Sequence, residues 1–279
     1  MEKYSLLEEQ LRHQNIIDEG DFFEPELLNE DVILLTHTKD YLDKLNTLAL
    51  TRKEERAIGF PVRKSLIDRG KAIANGTIQC ALHALENRIG MNTAGGTHHA
   101  FSDHGEGFCV FNDFAVASNY LLDQNVVGKI LIVDLDVHQG NGTAHIFQNE
   151  NRVFTFSMHG ANNYPLRKEK SDLDIPLPDQ TSDSDYLDIL SRSLPALIRE
   201  VGPDLILYLS GVDVIGEDKL GRLGMTITGC RRRDEVVFTQ CAEHDIPVAV
   251  SMGGGYASDI KLILEAHTNT YKAAVDIFG

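Results

Sequence analysis

The sequence predicts an α/β fold in three layers, with an open and mainly parallel central sheet flanked by helices. Short, β-rich apolar runs alternate with longer helical patterns from residue 90 to the end of the 279 residues. Strands separated by helices need crossover connections, and these place helices on both faces of a parallel sheet. The predicted strands lie at residues 91–94, 129–135, 152–158, 204–210 and 247–252.

Helical patterns occupy the intervals between these strands and most of the first ninety residues. No internal repeat, low-complexity tract or long linker interrupts the chain, so residues 1–279 are predicted to form a single domain. The predicted helices lie at residues 3–14, 39–50, 69–87, 112–124, 142–147, 184–200, 231–244 and 258–278.

Charge and cysteine content restrict the class of protein. The formal net charge is −16, and so acidic a chain is a poor partner for nucleic-acid phosphates. The four cysteines lie far apart without a C-x-x-C pair, which indicates reduced thiols rather than a disulfide framework. No apolar run approaches the roughly 20 residues of a membrane helix, and no targeting segment is recognisable. We therefore expect a soluble, cytoplasmic protein that binds neither nucleic acid nor membrane.

Polar and metal-capable side chains follow four of the predicted strands. The segment 95–99 reads Gly-Gly-Thr-His-His, and the segment 134–142 reads Asp-Leu-Asp-Val-His-Gln-Gly-Asn-Gly. Gly-Val-Asp at 211–213 and Gly-Gly-Gly-Tyr at 253–256 follow the last two strands. Because ligands of open α/β sheets bind beyond the carboxyl ends of the strands, we expect these side chains to meet at one edge of the sheet.

Asp136, His138 and Asp213 form the predicted metal site. Residues i and i+2 of an extended segment point to the same side, so Asp136 and His138 can close on one ion. Asp213 then supplies a third ligand, a number typical of catalytic zinc with an open position. Alternatively, Asp136 and His138 cap the following helix and pair with each other. The convergence of further acids and imidazoles on this edge favours the metal site.

His98, His99 and Tyr256 are the predicted acid–base and oxyanion-stabilising groups. One imidazole can take a proton from the attacking water while the other assists the leaving amine. Asp134 and Asn141 are the available partners for the two imidazoles, and such unequal partners separate two pKa values. The Tyr256 hydroxyl can donate to a developing oxyanion. A tyrosine after three glycines can also be a packed turn residue.

In this order, the motifs resemble those of the zinc-dependent histone deacetylase family within the arginase–deacetylase fold. The resemblance covers essentially the whole chain, and the motif variants at 138–142 and 171–178 are most similar to bacterial relatives of class IV deacetylases. It implies deacylation of an acyl-lysine peptide or protein, with Zn²⁺, or Fe²⁺ as the alternative, on the three ligands above. The motifs that carry it lie at 95–99, 107–109, 134–142, 213 and 254–256.

The resemblance also implies a monovalent cation, K⁺, near the metal and a tunnel for the acyl-lysine side chain. The positions that match the first cation site are Asp134, Asp136, His138, Ser157 and the backbone of Met158. Those that match a second cation site are Phe147, Glu150 and Val153. The matching tunnel positions are Gly107, Phe108, Tyr164, Leu220, Gly254 and Gly255.

Three alternatives remain beside acyl-lysine deacylation. Acetylpolyamine hydrolases of this fold carry a glutamate where Leu220 aligns, and an indel near Glu217 and Asp218 would keep an acylated small amine open as substrate. A two-manganese ureohydrolase needs carboxylates that segment 211–215 lacks. A catalytically silent acyl-ligand-binding protein is the third. The chain also starts after the first strand usual in the family, which bears on product release.

Overall fold

Residues 2–279 are described by the computed structural model, and within them six parallel strands form one sheet. The strands are β1 (Ile89–Asn92), β2 (Ile130–Asp134), β3 (Val153–Gly160), β4 (Leu173–Leu177), β5 (Leu205–Leu209) and β6 (Val248–Ser251). Their order in the sheet is β1-β6-β5-β2-β3-β4. The predicted fold class is therefore confirmed, and the sheet is parallel throughout.

Ten α-helices surround this sheet within the described residues, together with a short 3-10 turn at Glu19–Asp21. The helices are α1 (Glu2–His13), α2 (Glu30–Ile33), α3 (Lys39–Asn46), α4 (Arg52–Ile58), α5 (Lys64–Asn87), α6 (Asp113–Asp123), α7 (Asn141–Phe147), α8 (Asp183–Val201), α9 (Ile227–Glu243) and α10 (Ile260–Phe278).

Two apolar clusters attach helices to the two faces of the sheet. On one face α5 and α6 pack against side chains such as Ile132 and Leu207, while on the other α1, α8, α9 and α10 pack against Val133 and Tyr208. Neighbouring residues of a strand point to opposite faces, so β5, and β2 up to Val133, carry only hydrophobic side chains. A third cluster joins α2, α3 and α4 to the outer side of α5 and α6.

The sequence analysis missed β4, because Asp174 and Pro176 interrupt its apolar pattern. β4 is an edge strand that pairs only with β3, and an edge is where a strand tolerates proline. The short helices α2 and α4 were also missed. The helix predicted at 231–244 begins earlier, at Ile227, because the Thr226 side chain caps it.

The order of the strands creates a crevice between β2 and β5. β2 continues to β3 on one side, whereas β5 continues to β6 on the other. The connections therefore diverge at this point and leave an open edge where the loops after both strands meet. None of the helices in residues 2–279 combines the length and apolar character needed to cross a membrane.

Candidate metal centre and active site

The loops after β2 and β5 bring Asp136, His138 and Asp213 together in this crevice. His138 Nδ1 lies 2.9 Å from Asp136 Oδ1 and 3.3 Å from Asp213 Oδ2. One potential ligand atom from each residue lies within 4.8 Å of the other two, and all three residues are buried. Within residues 2–279, no other group of three His, Cys, Asp or Glu side chains converges in this way.

The segment around Asp136 and His138 is bent, not extended as the sequence analysis assumed. The backbone N–H of Asp136 donates to Asp134 Oδ1 at 3.1 Å, and the N–H of His138 donates to Asp136 Oδ1 at 2.9 Å. These bonds fold the segment back on itself. The alternative role as a helix cap does not apply, because the N-cap position before α7 is Gly140 and no side chain caps that helix.

The donor set fits a divalent metal ion. Asp213 Oδ1 accepts from the N–H of Val137 at 3.0 Å, but the buried Oδ2 makes no hydrogen bond, because the nearby His138 Nδ1, 3.3 Å away, lies closer to Asp136 Oδ1. An unpaired buried carboxylate oxygen is costly unless a cation or donor meets it. Burial and the neighbouring Asp136 carboxylate raise the pKa of Asp213 to about 6. Two carboxylates and one imidazole suit Zn²⁺ or Fe²⁺.

Gly211 and Gly254 have no side chain, and this leaves room for the carboxylates of Asp136 and Asp213. A Cβ atom on Gly211 would lie 2.5 Å from Asp136 Oδ2, and one on Gly254 would collide with the Asp213 carboxylate. Gly254 also has a φ of 61°, in the left-handed region that glycine adopts without strain. The glycines after β5 and β6 therefore allow the backbone to pass close to the metal-capable side chains.

His98 and His99 lie side by side and have unlike partners. Their ring centroids are 4.1 Å apart, and both imidazoles are buried. His98 Nδ1 lies 2.7 Å from Asp134 Oδ2, whereas His99 Nδ1 lies 2.6 Å from the amide oxygen of Asn141. The two rings therefore share one environment but differ in the charge of the group that orients them.

The pKa values of the two imidazoles move in opposite directions. Burial acts to lower the pKa of His98, but the Asp134 carboxylate outweighs it and the pKa rises to about 9. Burial and the adjacent His98 lower the pKa of His99 well below 6.5, and the Asn141 amide compensates only in part. Around pH 7, His98 is therefore cationic and His99 is neutral.

Asp113, which the sequence analysis overlooked, fixes the turn that carries the two histidines. Its carboxylate accepts from the N–H of Gly96 at 3.2 Å and from both the N–H and hydroxyl of Thr97 at 2.7 Å. The adjacent Asn112 donates through Nδ2 to the carbonyl of His98 at 3.4 Å. Asp113 is the first residue of α6, where an acid is common, so no local pattern in the sequence marks this support.

Tyr256 is half-buried and its position depends on Asp218. Its backbone N–H donates to Asp218 Oδ2 at 2.6 Å, while Asp218 Oδ1 accepts from the N–H groups of Leu220 and Gly221 at 2.8 and 2.9 Å. Burial, and then the Asp213 carboxylate, raise the pKa of the Tyr256 hydroxyl. The hydroxyl therefore remains a hydrogen-bond donor at neutral pH.

Exposed apolar side chains surround the opening of the site. Phe108, Tyr164 and Leu220 are 44%, 38% and 44% exposed. The Tyr164 ring stands at 86° to the His99 ring with 5.0 Å between centroids. The Tyr164 hydroxyl donates to Glu106, a contact that was not predicted from the sequence. Phe108 lies 6.0 Å from Tyr256, measured between ring centroids.

Glycines and a cavity complete this part of the site. A Cβ atom on Gly107 would lie 2.6 Å from His99 Cδ2, so only glycine lets this loop pass the imidazole. A cavity of about 350 Å³ extends from Gly255 and Tyr256 towards α5. Its apolar walls are formed by Phe60, Leu66, Ile73, Phe108, Val110 and Phe111.

The structure brings together the residues of each predicted cation site. Asp134 on β2 pairs in register with Ser157 on β3, next to Met158, and Ser157 Oγ lies 2.9 Å from His159 Nδ1. In the second set, the N–H of Glu150 donates to the carbonyl of Phe147, and the N–H of Val153 donates to the carbonyl of Glu150. The binding of K⁺ at these positions stays a prediction.

Comparison with known proteins gives one family. The sequence profile of the histone deacetylase domain matches residues 1–271. An uncharacterized protein of Picosynechococcus sp. is 42% identical over 278 residues, which cover 100% of this chain and 93% of that protein. Histone deacetylase 2 of Arabidopsis thaliana is 28% identical over 263 residues, with 91% and 68% coverage. The acetoin utilization protein AcuC of Staphylococcus aureus is 24% identical over 296 residues, with 98% and 76% coverage.

Solved structures give the same relationship. An HDAC homolog complexed with SAHA has a TM-score of 0.85 at 25% identity, covering 98% of this chain and 77% of that one. An HDAC homolog from Aquifex aeolicus has a TM-score of 0.84 at 24% identity, with 97% and 77% coverage. Together with the profile match over nearly the whole chain, these similarities show that the protein belongs to the histone deacetylase domain family.

Proposed function

We propose that this protein is a metal-dependent deacylase that hydrolyses the N-acyl bond of acyl-lysine in peptides or proteins. Membership of the histone deacetylase family supports a deacetylase-type amide hydrolase in general, and that family is metal-dependent. The observation that carries the proposal is the pair of buried imidazoles, one oriented by a carboxylate and the other by an amide, beside the buried Asp136–His138–Asp213 cluster.

Asp136, His138 and Asp213 would hold Zn²⁺, with Fe²⁺ as the alternative. When bound, such an ion would polarise the acyl carbonyl and lower the pKa of a water molecule. The unpartnered Asp213 Oδ2 and the raised pKa of Asp213 support a cation at this place. A two-metal ureohydrolase is disfavoured, because no further carboxylate joins the three-residue cluster within residues 2–279.

His99 is the proposed general base. Because the Asn141 oxygen is an acceptor, the proton of neutral His99 sits on Nδ1 and leaves Nε2 basic. His99 can therefore accept a proton from the attacking water and return it to the leaving amine. His98, kept protonated by Asp134, contributes positive charge that stabilises the negative charge developing on the substrate.

Tyr256 is the proposed donor to the oxyanion that forms from the acyl carbonyl. Its pKa is raised, so the hydroxyl keeps its proton while it donates. Asp218 holds the backbone of Tyr256 and thereby fixes where the side chain starts.

The opening of the site favours a lysine side chain over a polyamine. Phe108, Tyr164 and Leu220 offer apolar surface to the methylene stem of lysine. A polyamine carries a second ammonium group, for which a free carboxylate would be the natural partner. Both oxygens of Asp218 already accept backbone N–H groups, and Glu106 already accepts from Tyr164 and Asn141, so the polyamine alternative would depend on the exposed Glu217.

Further parts of the proposal rest on the detailed resemblance of the sequence motifs to those of this family. We infer K⁺ at the two cation positions, a class IV-like character, a single catalytic domain over residues 1–279 and a cytoplasmic location. The profile match to residues 1–271 supports the domain, and four buried free cysteines are in keeping with a reducing compartment.

The decisive experiment is hydrolysis of acyl-lysine peptides of increasing acyl length and of N-acetylpolyamines by the metal-reconstituted protein, with and without a hydroxamate. We expect hydroxamate-sensitive turnover of the peptides, and a loss of about 10²–10³-fold in kcat for Tyr256→Phe, the usual cost of one oxyanion donor. Turnover of polyamines alone would overturn the lysine substrate. Metal and hydroxamate binding without any turnover would establish a silent acyl-ligand-binding protein instead.

A further inference from the structure

Arg233 and Asp234 form a buried ion pair in α9 that the proposed reaction does not use. Both side chains are 0% exposed, and Arg233 Nη2 lies 2.8 Å from Asp234 Oδ1. A buried ion pair is generally no more stabilising than apolar side chains of the same volume. Its presence in the core behind the metal centre therefore needs a reason other than stability.

All five N–H groups of the Arg233 guanidinium have acceptors. Nε and one N–H of Nη2 donate to Asp234 Oδ1, and the other N–H of Nη2 donates to Ser210 Oγ at 3.0 Å. The two N–H groups of Nη1 donate to the carbonyls of Leu135, at 3.2 Å, and Gly211. The fork geometry of arginine makes this complete set of bonds possible.

The two carbonyls lie next to the metal-capable residues. Leu135 follows the end of β2 and directly precedes Asp136, while Gly211 follows the end of β5 and lies two residues before Asp213. Beyond the ends of the strands, buried carbonyls need partners that the sheet no longer supplies. One nitrogen of Arg233 satisfies both, and so connects the two segments that carry the carboxylates.

Asp234 in turn fixes the guanidinium. Its Oδ1 accepts from the Tyr208 hydroxyl on β5 and from Ser210 Oγ, and its Oδ2 accepts from Thr270 Oγ1 on α10 at 2.7 Å. The carboxylate is thus attached to the sheet and to a second helix, independently of α9. A rotation of Arg233 would break several of these bonds at once.

We propose that Arg233 is a positioning residue of the metal centre, which sets the spacing between Asp136 and Asp213 through the backbone of Leu135 and Gly211. This inference rests on the proposed metal site. Lysine at position 233 would keep the charge, but its three N–H groups on one nitrogen cannot reproduce the fork that serves Asp234, Ser210 and both carbonyls. Mutation of residues that hold metal ligands in place typically lowers metal affinity roughly 10–100-fold.

The test is Zn²⁺ affinity, measured on the full chain by competition with a chromophoric chelator. Wild type is compared with Arg233→Lys, with Asp234→Asn, and with Leu194→Ala, a cavity-forming change in the buried part of α8. All measurements are made at a temperature where circular dichroism shows every variant folded. We expect Arg233→Lys to bind Zn²⁺ roughly 10–100-fold more weakly, Asp234→Asn to fall between it and wild type, and Leu194→Ala to match wild type.

Equal affinity in Arg233→Lys and wild type would overturn the inference, and so would equal weakening in Leu194→Ala, since that result would make the effect one of general stability. If Arg233→Lys does not fold, Asp234→Asn decides the matter by the same criteria. A wild-type protein that binds neither Zn²⁺ nor Fe²⁺ would remove the proposed function, and this inference with it.

Discussion

The floor of the site and its rim adjoin each other, yet they are constructed from different interactions. We define the floor as Asp136, His138, Asp213, His98 and His99, and the rim as Phe108, Tyr164 and Leu220. Floor residues are at most 8% exposed, whereas rim residues are 38–44% exposed. Partners such as Asp134 and Asn141 orient the floor, while the rim offers mainly apolar surface.

This difference separates two kinds of contribution to catalysis. Groups fixed in a buried environment act on charge that develops in the transition state, so their loss lowers kcat. Apolar side chains at an opening contact the substrate equally in the ground and transition states, so their loss raises KM. Substitutions in the two regions should therefore affect different kinetic parameters and differ in size.

The largest effect is expected for Asp213→Asn. Loss of this carboxylate removes one of three proposed ligands, and several kcal/mol of transition-state stabilisation depend on the ion. We expect kcat/KM to fall by about 10³-fold or more, since each 1.36 kcal/mol is tenfold in rate. Kinetics and metal content by elemental analysis would measure this. Glu86→Gln, which alters an exposed carboxyl on α5, should keep wild-type rate and metal.

A smaller effect, visible mainly in the pH profile, is expected for Asn141→Asp. The pKa of His99 is lowered well below 6.5 in the native protein because its orienting partner is neutral. A carboxylate there would raise the pKa of His99 by roughly 1–3 units. His99 must be neutral to act as a base, so the acid limb of kcat/KM should move to higher pH.

The corresponding change at the partner of His98 tests the same assignment of protonation states. Asp134→Asn removes the carboxylate that raises the pKa of His98 to about 9, so His98 should lose its proton at a lower pH. The alkaline limb of kcat/KM should then move downward while the acid limb stays. An acid limb that does not move in Asn141→Asp would remove His99 from its role as base.

The smallest effect is expected at the rim, for Phe108→Ala. The ring loses its contact with the substrate stem, and an aromatic contact of this kind is worth about 1 kcal/mol. KM for an acyl-lysine peptide should rise about fivefold to tenfold with kcat nearly unchanged. Lys219→Ala, an exposed change beside Leu220, serves as the control. A fall in kcat without a change in KM would contradict the division between floor and rim.

The floor was easier to predict from the sequence than the residues that support it. Asp136, His138 and Asp213 follow apolar strands, and the rule for the carboxyl ends of parallel strands groups them. Asp113 and Arg233 support the floor through bonds to residues 16 to 98 positions away. No local pattern marks such contacts.

Arg233 shows most clearly why the supporting residues could not be predicted from the sequence. It is the third of three consecutive arginines, and only the packing of α9 reveals that its side chain points inward while Arg231 binds Glu235 near the surface. β4 was missed for a related reason, since an edge strand needs little apolar pattern. Long-range packing, rather than propensity, decides both cases.

The central claim is that one divalent ion, held by Asp136, His138 and Asp213, is required for amide hydrolysis. The most direct test is titration of the metal-free wild-type protein with Zn²⁺ while hydrolysis of an acyl-lysine peptide is followed. We expect activity to rise linearly and to reach its maximum at one equivalent of Zn²⁺ per chain. Activity in the fully metal-free protein, or a maximum only at two equivalents, would contradict it.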